Sequence, residues 1–340
     1  MDNRTDFEAH PQVLLDVDGE KLVTVVKASF ELPRGSNELV IAPEERNRPV
    51  RPADIPWGEP DVSSIGYPSD LCLRKPGSDV IVVGKGYAPG GEPVPSFDVH
   101  VSVGHLNKAL RLFGPRVFTG TGLSMTKPSP IAELELRYEH AWGGFDDEDP
   151  DNVVEEPRNP IGRGKVADSA ARAGQPAPQI EDPYHLLSNL DTEPAPAGVG
   201  AVGRHWMPRR KYAGTYDEIW QQSRAPLPPI DLDDRHHLCA TPDLSTDKLL
   251  KSGETVKLYN LLPGGGGVEL TLPVVHLEIA FDVKGREIAV FTPHLDTVIF
   301  DLLETSDEKP PAVEMVWRAC VRAPRRLRDA RVIVREKDGP

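Results

Sequence analysis

The most ligand-like stretch of the chain holds Asp231, Asp233, Asp234, His236, His237 and Cys239 within one short run. A bound metal would need three or four of these side chains to converge on one point. In extended backbone successive side chains alternate, so the adjacent His236 and His237 would face opposite sides. No HExxH pattern or second Cys/His pair accompanies them. A metal-dependent hydrolase built on Asp231–His237 is therefore the alternative reading, and the expectation is no metal and no cofactor. Other chemistry-bearing patterns also break down. Gly84-Lys85-Gly86 follows an apolar strand, but a phosphate loop needs Gly where Asp79 stands and Ser or Thr where Gly86 stands. Asp147, Asp149 and Asp151 hint at a calcium loop, yet its turn position is Asn152 and its bidentate position Arg158. No G-x-S-x-G elbow is present, and Cys239 neighbours the two histidines only in sequence. No catalytic residue emerges, and the chain reads as a binding protein, not an enzyme.

The elements that would position any site are short strands and turns. Pro (35) and Gly (29) make up about 19% of 340 residues, against roughly 12% in average proteins. Long helices do not tolerate that, since an interior Pro costs about 3 kcal/mol. Leu22 to Leu32 follows a turn at Asp18-Gly19 and reads as an opening hairpin. Phe97, Val99, Val101 and Val103 alternate with Asp98, His100 and Ser102, and lead through Gly104–Asn107 into Lys108–Phe113. Val80–Val83, Glu133–Glu139, Phe281–Val283 with Glu287–Phe291, Val313–Val321 and Val332–Val334 also read as strands. Gly264–Gly267 reads as a hairpin tip, and Thr215–Ser223 as a short helix begun by Asp217 and Glu218. The fold class expected is mainly β: two packed antiparallel sheets, sandwich-like halves, with a long Gly/Pro-rich irregular centre. The chain is expected to be one domain over 1–340, β-rich over about 10–140 and 236–340, and loop-rich over about 141–235.

A net charge of −14 disfavours a nucleic-acid partner. The arginines from Arg318 to Arg335 read as a charged outer strand face. Three scattered cysteines, Cys72, Cys239 and Cys320, suit a reducing compartment. The N-terminus is charged, and no run of about 18 apolar residues occurs, so no membrane association and a cytoplasmic location are expected.

One region stands out for residues of fixed geometry. It runs Pro196-Ala-Gly198-Val-Gly200, Arg204-His-Trp206-Met-Pro208-Arg209-Arg210, Tyr212-Ala-Gly214-Thr-Tyr216-Asp217 and Trp220, then Pro226-Leu-Pro228 to Asp231. Tryptophan and tyrosine supply rigid contact area, and Arg209 and Arg210 can clamp carboxylates or loop carbonyls. Ala141-Trp-Gly143-Gly144 and Asn159-Pro160-Ile-Gly162-Arg-Gly164 belong with it. In this order the elements resemble domain-of-unknown-function family 2169 (DUF2169), a bacterial family found with type VI secretion components. The resemblance spans roughly residues 20–335. One departure is Ala240-Thr-Pro242-Asp243-Leu244, where the family pattern has a Gln after the Asp.

The resemblance implies adaptor or chaperone work. Such a protein loads an effector onto a PAAR-type tip or VgrG-like spike by protein–protein contact, and the family carries no catalytic residues over. The candidate partner-binding residues are Trp206, Arg209, Arg210, Tyr216, Asp217 and Trp220. The same residues could instead staple irregular loops onto the sheets. A permanent structural part of the secretion apparatus is a further alternative. The client, the binding face and the oligomeric state are not readable from the sequence.

Overall fold

Val99, Val101 and Val103 are buried, while Asp98, His100 and Ser102 between them are half-exposed, so period-two patterning becomes a strand with one dry face. A computed structural model describes residues 1–120, 122–189, 194–306 and 308–337. Its longer strands are β1 (Glu8–Asp16), β2 (Gly19–Glu31), β3 (Ser78–Tyr87), β4 (Ser96–Val103), β5 (Leu106–Phe113) and β6 (Thr255–Tyr259). They continue with β7 (Gly267–Thr271), β8 (Leu277–Val283), β9 (Arg286–Phe291), β10 (Leu295–Leu302), β11 (Ala312–Arg322) and β12 (Ala330–Glu336). The protein is mainly β, as its patterning predicts. Among the described residues the one α-helix, α1, is Glu218–Ser223, and no helix is long and apolar enough to cross a membrane.

Three sheets share the main core. The largest runs Glu133–Glu135, β3, β10, β11, β2, β1, with Val40–Ile41 added on β2 and Ser245–Thr246 on β3. A second runs Ile180–Glu181, β5, β4, β6, β7, and a third runs Asp2–Arg4, β12, β8, β9. Most neighbours are antiparallel, but β10 lies parallel to β3 with Ile299 opposite Ile81. The large sheet is thus mixed, and it interleaves the two ends of the chain: β2 pairs with β11, setting Ala28 opposite Met315. Phe30, Met315, Trp317 and Phe300 join Val101 and Leu110 of the second sheet and Ile279 of the third in one apolar cluster.

The other face of the large sheet is also covered, here by residues 44–75. Val23, Val25, Val316 and Leu73 form a smaller apolar cluster. Beside them Lys27, fully buried, lies 2.9 Å from Asp70 and 2.7 Å from Glu314, and Arg51 grips Glu314 with both terminal nitrogens. Burial alone would raise the Glu314 carboxyl, but Lys27 and Arg51 bring it down to about 2. Arg318, expected on a charged outer face, is instead buried and salt-bridged to Asp296 at 2.8 Å. A cation on an inner strand face must be paired, because an isolated charge there would be far too costly.

Candidate functional site

The Gly/Pro-rich centre is irregular but tightly tied. The Asn159 amide donates to the carbonyls of Tyr138 and Trp142, each at 2.9 Å, and the residue is wholly buried. Gly143 has φ of 154°, and a Cβ there would sit 2.1 Å from the Asn159 carbonyl oxygen. A Cβ on Gly162 would meet the Asn159 amide at 2.4 Å. The A-W-G-G and N-P-I-G-R-G elements therefore lock together, and Trp142–Gly143 pairs in parallel with Arg163–Gly164.

The second half of the motif builds a surface. Trp206 is buried edge-on against Tyr138, ring centroids 5.4 Å apart, with Gly203 beneath it. Arg209 is also buried: its Nε donates to the His236 carbonyl at 3.1 Å and its Nη1 to the Val202 carbonyl at 2.7 Å. Arg210 reaches outward, 3.8 Å from Glu155. Beyond them residues 214–232 form a closed loop. The Thr215 amide and hydroxyl both donate to Asp231, at 3.0 and 2.7 Å. Asp217 caps α1 by accepting from the Trp220 amide at 2.8 Å, as a short polar side chain does at a helix start. The Trp220 indole donates to the Leu227 carbonyl, and Tyr216 packs on Trp220 at 4.7 Å. Arg224 ties the loop to Pro228 and to the Val17 carbonyl of the first hairpin. Tyr216, Ile219 and Ile230 of this loop are 58%, 73% and 76% exposed.

Of the six residues singled out by sequence, Trp206 and Arg209 sit inside, and Asp217 shapes the helix start. Arg210 and Tyr216 reach solvent, while Trp220 is half-buried. The ligand-like acids of the next segment are engaged elsewhere. Asp231 holds Thr215, Asp234 lies 2.5 Å from Arg74, and Asp233 pairs with Arg235, whose hydrogen bonds bring its carboxyl down to about 2. The His236 Nδ1 lies 3.2 Å from the Arg209 carbonyl oxygen. Among the described residues no three His, Cys, Asp or Glu side chains gather as a metal site.

A cleft of about 270 Å³ lies between the first hairpin, residues 54–73 and the motif loop. Arg204, Arg209, Tyr216, His236 and His237 line it from the motif side, and Leu14, Cys72 and Leu73 from the other. Burial, then the neighbouring His236, Arg318, Arg209 and Lys75, hold His237 neutral by lowering it to about 3. Below the cleft, Asp79 accepts from the Cys239 and Ala240 amides and from Lys75 at 2.6 Å. Burial pushes the Cys239 thiol up to about 12, so it is no ready nucleophile. Sequence reading misses the contribution of Leu14, Cys72 and Leu73, because no local pattern marks residues that meet the motif from so far along the chain.

Comparison with known proteins gave no match among curated proteins and none among solved structures. A family model described as an uncharacterized protein conserved in bacteria matches residues 18–318, which takes in the locked glycine elements, the closed loop and the cleft wall except Leu14 and Leu15. The chain therefore belongs to the DUF2169 family.

Proposed function

We propose that this protein is a cytoplasmic adaptor that holds a type VI secretion effector and passes it to a PAAR-type tip or VgrG-like spike, by contact and without turnover. The observation that carries this reading is the closed loop 214–232. It presents Tyr216, Ile219 and Ile230 to solvent on backbone fixed at several points. Exposed apolar residues cost solubility unless covered, and a rigid aromatic anchor loses little entropy on docking. The order of the motif elements implies the same role through the resemblance they carry.

The test is co-purification of the tagged protein with candidate effector and tip proteins of its native host, each co-expressed. The intact protein is expected to retain one of them through gel filtration. The double variant Tyr216→Ala, Ile219→Asp is expected to lose it with an unchanged melting temperature. No complex with any of these proteins, together with unchanged effector export in a deletion strain, would refute the adaptor reading. Retention by the double variant would remove the loop from it.

A further inference from the structure

Two groups in the cleft are incompletely partnered: Arg209 lacks a counter-charge, and His237 Nε2 lacks a hydrogen bond. Arg209 is 7% exposed, and both of its bonds go to neutral carbonyls. Among the described residues its Nη2 has no hydrogen-bond acceptor and its charge no carboxylate within salt-bridge distance. By contrast Lys27, Arg51, Lys75, Arg116 and Arg318, buried cations among the described residues, each face an Asp or Glu. Arg209 Nη2 opens on the cleft, whereas His237 Nε2 is a buried atom with no hydrogen-bond partner. Buried unsatisfied groups of this kind are few in native proteins, and each calls for an explanation. Both side chains line the same cleft, whose rim carries Tyr216 and whose far wall is apolar through Leu14 and Leu73.

We propose that the cleft receives a carboxylate side chain, Asp or Glu, on a segment of the partner polypeptide, held by Arg209 Nη2 and His237 Nε2. This rests on the adaptor reading above and adds the chemistry of the anchor. The carboxylate supplies the counter-charge Arg209 lacks, and accepts a hydrogen bond from each group in a site where such bonds are strong. The leucine wall covers the aliphatic stem. Arg204 at the mouth is held by Asp54 at 3.3 Å and so contributes less free charge. The lowered basicity of His237 follows first from burial and then from four cationic or imidazole neighbours, and an incoming carboxylate would offset the second part.

The experiment uses the full chain with its ten histidines labelled with nitrogen-15, and His237 assigned by comparison with His237→Gln. The probes are the peptide acetyl-Ala-Leu-Glu-Leu-Ala-amide, its Gln twin, and sodium acetate. The Glu peptide is expected to shift the His237 ring nitrogens saturably, with the Gln twin at least about tenfold weaker, as loss of a charge-assisted bond predicts. Arg209→Gln is expected to lose the same factor, and Lys257→Gln, an exposed cation outside the cleft, to keep full binding. Equal binding of the two peptides, or no shift at millimolar Glu peptide, overturns the proposal. Acetate saturating as tightly as the Glu peptide also overturns it, in favour of a small-anion site. Should Arg209→Gln fail to fold, His237→Phe decides, with peptide binding read by titration calorimetry: it must lose the discrimination between the peptides, and retention of that discrimination overturns the proposal. Because no client enters this assay, its failure is distinct from failure of the co-purification.

Discussion

His237 and Glu314 carry ionisation states set by what surrounds them, and both tie stability to pH. His237 titrates near 3 in the fold against an ordinary 6.5, so between those values only the unfolded chain takes up the proton. Its contribution is complete above about pH 6.5 and is lost as pH falls towards 3. Glu314, near 2 against an ordinary 4.5, adds a second loss below about pH 4.5. Melting temperatures at pH 7 and pH 5 are expected to show a clear drop for the natural chain and a smaller one for His237→Gln. An equal drop would mean that His237 is not held neutral. Lys27 gives a sharper test in urea. Lys27→Met leaves Glu314 and Asp70 facing a buried hydrocarbon, and removing one partner of a buried ion group costs about 3–5 kcal/mol. None of this is legible in the sequence. Lys27 looks like any surface lysine on a half-buried strand, and only the cover of residues 44–75 makes it an interior cation.

At the scale of elements, the motif that suggested partner contact divides into two kinds of residue. Gly143, Asn159 and Gly162 lock two turns against each other with no room for a methyl group. Gly162→Ala is expected to lower stability by about 1–3 kcal/mol in chemical denaturation, the usual cost of overpacking. Gly58→Ala, whose new Cβ would meet nothing closer than 3.6 Å, is expected to be near neutral. Asp217→Ala removes the cap of α1 and is expected to cost about 1 kcal/mol, read as faster amide exchange over 218–223. Here the sequence was partly readable. A short helix over Thr215–Ser223 begun by Asp217 matches α1 at Glu218–Ser223, since an N-cap followed by an acidic first turn is a local signal. The hairpins at β4–β5 and β8–β9 were legible for the same reason, each turn lying between two alternating runs. The fate of Trp206 and Arg209 was not, because an aromatic beside an arginine fits a core as well as a surface.

For the whole molecule, the decisive fact is which strands meet. Alternation in Val313–Val321 and in Leu22–Leu32 announces two strands, but nothing local says that they are neighbours. The parallel contact of β10 with β3 is equally silent, since it joins segments more than 200 residues apart. Because β10 and β11 stand in the middle of the large sheet, residues 1–240 alone would leave β2 and β3 with bare edges and half a core. That fragment is expected to show no cooperative melt by circular dichroism, whereas the full chain melts in one transition. A two-part melt of the full chain, with 1–240 folded by itself, would contradict the shared core. The −14 charge bears on assembly as well: a complex with a basic client is expected to weaken as salt rises, measured by titration at two ionic strengths.

The pairing of β2 with β11 also sets a timetable for biosynthesis. A ribosome adding roughly 5–20 residues per second needs some tens of seconds between making the two strands. Throughout that interval Val26, Ala28 and Phe30 wait beside an open edge with nothing to close it. The nascent chain is therefore exposed to aggregation until β11 emerges. Slowed elongation or missing trigger-factor-like holdases should reduce its soluble yield far more than that of a protein whose sheets close hairpin by hairpin.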